Sequence, residues 1–171
     1  MTDSRPAAPM APARSPIVVE RTYRAAVEEL WALWTTKEGF ESWWGPQGFR
    51  AEVYAIDPVP GGTLHYAMIA ATPEMIAVMQ EMNRPASHET HSRFAACEPY
   101  ERLTITSVID FLPGVPAYES DIRVEFFPQG EHVRMVVTLS PMHDEAFSGM
   151  QREGFGSQLT KLDARYGWVA S

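Results

Sequence analysis

The chain has 171 residues, 45% of them hydrophobic and 21% charged, with a formal net charge of -8. That length and balance suit one globular domain with a sizeable core, and the acidity opposes binding to phosphate backbones or anionic membranes. A single cysteine, Cys97, excludes an intramolecular disulfide and a Cys-based zinc site.

The first 16 residues, MTDSRPAAPMAPARSP, carry four prolines among Ala and Ser and no apolar core of a signal peptide. They read as a disordered tail before one domain over 17–171. IVVERTY (17–23) is β-branched and aromatic and predicts a strand. Val27, Leu30, Trp31 and Trp34 recur at helical spacing in AVEELWALWTT. Thr35 and Glu38 have capping-box spacing, which starts a second short helix carrying Phe40, Trp43 and Trp44 and ended by Gly45-Pro46.

AEVYAI and TLHYAMIA read as strands around a DPVPGG turn, in which Gly61 and Gly62 supply left-handed conformations. Leu64, Tyr66 and Met68 share one face of the second strand. TPEMIAVMQEMNRP then predicts an inserted helix, with Thr72 as cap, Pro73 in the first position, and Met75, Met79 and Met82 spaced along it. Strands follow over ETHSRFAACE, ERLTITSVIDF, ESDIRVEFF and HVRMVVTLS, each with alternating faces. Simple alternation places Cys97 opposite Phe94 and Ala96. The remainder, to Trp168, predicts a long helix with Phe147, Met150, Phe155, Leu159, Leu162 and Tyr166 as its apolar stripe. Gly149, Gly154 and Gly156 in it weaken the helix and suggest a close approach to the sheet or to something else. The expected plan is α+β: a curved antiparallel sheet of six to seven strands around a terminal helix, with two short helices after the first strand and an extra helix after the third.

The stretches RTYRAAVEELWALWTT, WWGPQGF, DPVPGGTLHY and EPYERL occur together in order. In this the chain resembles the family named for the activator of the heat-shock protein 90 ATPase, within the START-like or SRPBCC superfamily, and its bacterial single-domain branch. The resemblance implies a helix-grip fold with an elongated, largely apolar cavity between sheet and terminal helix. Relatives bind lipids, sterols, polyketides or hormones there, some cyclise or dehydrate polyketides, and one sequesters an antibiotic. The eukaryotic co-chaperones have an additional N-terminal domain for which this chain has no room. Arg24-Ala25-Ala26 stands where the family often has Asp-Ala-Pro, and Phe155 where it often has Trp.

Trp44, Tyr66, Met68, Met75, Met79, Phe94, Leu103, Ile105, Phe155 and Leu159 are the candidate ligand-binding residues, with Trp44 assigned to the cavity entrance and the Met-bearing helix either a lid over the cavity or a cap on the core. Asp110 and His143, near Asp144 and Glu145, are the weak candidates for acid–base catalysis, and the bland alternative is that the acidic pair serves the helix N-terminus. His88, Glu89 and His91 invite a metal reading, but residues three apart in a strand face opposite ways, so no metal or cofactor is expected. The expected function is binding of a small apolar molecule in the cytoplasm, with a homodimer left open and neither nucleic acid nor membrane as partner. A polyketide-cyclase-type enzyme and a chaperone-activator-like interaction module are the two alternatives.

Overall fold

The computed structural model describes residues 16–109, 114–141 and 145–167. Seven strands form one antiparallel sheet in the order β1-β7-β6-β5-β4-β3-β2, curled into a half-barrel. They are β1 (Ile17–Tyr23), β2 (Phe49–Ile56), β3 (Thr63–Ala70), β4 (Ser87–Glu98), β5 (Arg102–Ile109), β6 (Tyr118–Gln129) and β7 (His132–Leu139). Helices α1 (Val27–Thr35) and α2 (Lys37–Glu41) follow β1, α3 (Pro73–Glu81) joins β3 to β4, and α4 (Glu145–Tyr166) closes the chain. This is the α+β helix-grip plan and element order that the sequence predicts.

Alternation decides which strand residues face the core. Leu64, Phe94, Leu103, Ile105, Val124, Met135 and Val137 are buried on the concave face, and their polar neighbours face out. The α1–α2 corner shows how the local sequence sets the site. The N-cap of α2 is Thr36, one residue later than the capping-box spacing suggests, and its hydroxyl accepts from Gly39 N at 2.9 Å. Thr35 instead ends α1 and bonds back to Trp31 O. Gly39 is required for space, since a Cβ there would overlap the Ala32 carbonyl. The tryptophan pair lies just beyond α2, in the turn leading to Gly45, rather than on the helix.

Four further expectations change. Gly61 has the left-handed φ of +82°, but Gly62 does not; a Cβ on Gly62 would collide with the Asp57 carbonyl, so it serves close packing. A register shift between Phe94 and Ala96 turns Cys97 to the buried side, where Sγ donates to Pro58 O at 3.1 Å. The extra residue of a β-bulge resets the alternation, which reading by twos cannot anticipate. Burial pushes the Cys97 thiol pKa up, the direction of an inert thiol. On α4, Met150 is exposed at 56%, and the buried face is Ser148, Phe155, Gln158, Leu159 and Leu162. Gly149, Gly154 and Gly156 meet no described neighbour within 4 Å of an added Cβ, so they are not sites of close helix–sheet approach.

Candidate functional site

The interior between the concave sheet face and α4 has an aromatic wall. Trp34 lies edge-on to Trp43 and Trp44, with ring centroids 5.0 and 5.5 Å away. Trp44 stacks on Phe40 at 4.6 Å and faces Tyr66 and Phe155. It is only 5% exposed, so Trp44 belongs to the inner wall and does not form the entrance. The turn after α2 lets both adjacent indoles reach the core, where they also lie edge-on to each other at 5.2 Å. Trp43 additionally donates its indole N–H to the Leu33 carbonyl at 2.9 Å, satisfying one of the last carbonyls that α1 leaves open.

Tyr66, Phe94, Leu103, Ile105, Phe155 and Leu159 join Trp44 in one buried cluster, and Met68 packs against it. Met75 and Met79 stand outside the cluster on α3, where no residue is fully buried. Met75 rests on Gly48 and Met68 on Gly45, the two positive-φ glycines of the turn that follows Trp44. The same turn is fastened to α4: Gly45 N donates to Gln158 Oε1, Gln47 N donates to Ser157 Oγ, and Lys161 Nζ donates to Gly45 O. The GPQG turn thus touches both the grip helix and the inserted helix. Lys161 is partly desolvated and hydrogen-bonded to carbonyls, and burial lowers its pKa.

One part of the interior is polar. Ser92, Ser107 and Ser120 are aligned across β4, β5 and β6, and the Ser92 and Ser107 hydroxyls are 2.6 Å apart. Thr90 is two residues from Ser92 on the same face and opposite Tyr66. Ser148 and Gln158 are buried on α4. Three buried donors, Trp34 Nε1, Trp44 Nε1 and Gln158 Nε2, have no acceptor among the described residues, and the Gln151 Oε1 acceptor has no donor there. Trp44 Nε1 approaches the Tyr66 hydroxyl without reaching hydrogen-bond geometry. A search for apolar periodicity overlooks these inward polar groups; Gln158, one turn from Phe155 and beside Leu159, was the available signal.

The C-terminal turns of α4 are tied to the end of β1, opposite the serine row. Asp163 Oδ1 accepts from Arg21 Nε at 3.0 Å and from the Tyr23 hydroxyl at 2.6 Å. Burial, then Asp163, drives the Tyr23 pKa above the usual tyrosine range, and burial raises that of Tyr66. A tyrosine with a raised folded-state pKa contributes stability below the unfolded value of about 10 and loses it above that pH. Tyr23→Phe is therefore expected to be less stable than the wild type by about 1 kcal/mol at pH 8. The gap should narrow as pH climbs past about 10. Urea midpoints from pH 8 to 11 would check this, and parallel curves would contradict it.

Asp110 and His143 lie outside the described residues, as does Asp144. A cleft of about 270 Å³ opens on the outer sheet face beside Thr104, Arg123 and Thr138, away from the aromatic wall. No described helix is long and apolar enough to cross a membrane.

Solved structures share this architecture. Protein CV1439 of Chromobacterium violaceum is 17% identical and superposes with a TM-score of 0.70, covering 90% of this chain and 98% of its own. The AHSA1 protein of Silicibacter pomeroyi is 20% identical with a TM-score of 0.69, covering 88% and 96%. Protein Ms6760 of Mycobacterium smegmatis is 16% identical with a TM-score of 0.64, covering 90% and 96%. No curated protein gives a significant match. The sequence pattern of the family described as activator of Hsp90 ATPase homolog 1-like protein matches residues 24–167. With that match over the α1–α2 corner, strands β2 to β7 and the grip helix, the chain belongs to this family.

Proposed function

We propose that the protein binds a small, largely apolar molecule between the concave sheet face and α4, and that the molecule presents an oxygen acceptor to the interior. The fold commonly binds hydrophobic ligands. The observation that carries the finer reading is that two buried donors, Trp34 Nε1 and Gln158 Nε2, have no acceptor among the described residues. Each such group costs about 1–3 kcal/mol when left unpaired, so buried groups nearly always have partners. An apolar molecule with a carbonyl-type oxygen would bury area against Phe94, Ile105 and Phe155 and supply the missing acceptor.

Titration of the intrinsic tryptophan fluorescence with a medium-chain aryl ketone and its matching hydrocarbon tests this. Saturable quenching is expected for both, stronger for the ketone. Gln158→Met should reduce the ketone's advantage by about tenfold, the value of a hydrogen bond near 1.4 kcal/mol. An absence of saturable quenching by either compound would count against cavity binding. Equal affinity for both in the wild type would count against the acceptor.

A further inference from the structure

The outer face of the sheet holds a second cluster, independent of the interior. His65 on β3 pairs in register with His91 on β4, and Glu89 lies two residues before His91 on the same face, opposite Ala67. The imidazole rings stack with centroids 4.1 Å apart. Glu89 Oε1 is 2.9 Å from His65 Nε2 and 3.9 Å from His91 Nε2. One ligand atom from each residue can be chosen so that all lie within 4.8 Å of one another. His88 faces away, as alternation requires, so the motif visible in the sequence is not the motif that converges. The missing partner, His65, comes from the neighbouring strand and is found only through the register.

We propose that His65, Glu89 and His91 form a binding site for a divalent transition cation of the zinc type. Zinc–nitrogen and zinc–oxygen distances of about 2.0–2.2 Å in a tetrahedron put ligand atoms roughly 3.3 Å apart. The observed separations of 2.9 and 3.9 Å bracket that value. Small rotations of exposed side chains bring them to it. Two imidazoles and one carboxylate suit zinc, nickel or copper, and not magnesium or calcium. Three protein ligands leave a coordination position open to water or to a donor from another molecule. The ligands are partly exposed, with side chains 25%, 57% and 68% accessible for His65, Glu89 and His91.

The test is equilibrium dialysis of the full chain, without a histidine tag and stripped with chelator, against zinc chloride, with thermal unfolding in parallel. One zinc per chain is expected, raising the wild-type melting temperature. His65→Ala and His91→Ala should each weaken binding by at least about tenfold. The double variant should lose both binding and the thermal shift, and His88→Ala should retain them. These histidines are at the surface, so circular dichroism should show every variant folded. The proposal is overturned if the wild type binds no zinc, if the double variant binds it equally well, or if His88→Ala abolishes binding as fully as His91→Ala does.

Discussion

Trp43→Ala is expected to destabilise the protein by about 4 kcal/mol, a large part of the stability of an ordinary domain. The indole is fully buried and packs edge-on against Trp34, Trp44 and Phe155. Truncation would remove those contacts and leave a cavity that rigid neighbours cannot fill. It would also strip the Leu33 carbonyl of its hydrogen bond from the Trp43 indole at 2.9 Å. Trp43→Phe separates the two effects, since it keeps a ring but loses the N–H, and its cost should be clearly smaller. Urea unfolding followed by circular dichroism measures both. A loss below about 1 kcal/mol for Trp43→Ala would show that the corner between α1 and α2 is not the rigid part of the site wall.

The second large effect concerns α3. Deleting 72–84 is expected to speed release of a bound apolar molecule at least tenfold while leaving the sheet intact. None of the residues of α3 is fully buried, and its attachment includes Met75 over Gly48. Little packing therefore opposes its movement. The backbone tolerates the excision because Ala70 N already bonds Ala86 O at 2.8 Å, so Ala71 and Pro85 would become a two-residue hairpin turn. Substituting them as Ala71→Asn and Pro85→Gly supplies the turn chemistry such a hairpin needs. Stopped-flow fluorescence after mixing with a competitor gives the release rate. An unchanged rate in a folded deletion variant would make α3 a cap on the sheet edge and not a gate.

Most of the architecture was legible because it depends on local rules. β-Branched and aromatic content predicts β1 and alternation predicts β3 at their observed bounds, and Thr72 with Pro73 marks the start of α3, where the Thr72 hydroxyl accepts from Met75 N at 3.1 Å. The buried residues Phe94, Leu103, Ile105, Phe155 and Leu159 were legible for the same reason. What the sequence hid depends on events with no local signature. The bulge near Ala95 reverses the side on which Cys97 falls. The register that sets His65 against His91 is a property of two strands together. The inward placement of Ser148 and Gln158 breaks the apolar stripe on which the helix prediction rests. Both adjacent tryptophans are buried, and they occupy a turn beyond α2 and not the helix itself.

The central claim is that the interior between sheet and α4 takes a small molecule. Native mass spectrometry of the full chain, purified gently from its own cell, tests it most directly. The prediction is a second species heavier than the chain by a constant increment of a few hundred daltons, lost on denaturation and displaced by the aryl ketone. A single species at the mass of the bare chain in repeated preparations, unchanged after incubation with the ketone, would contradict the claim.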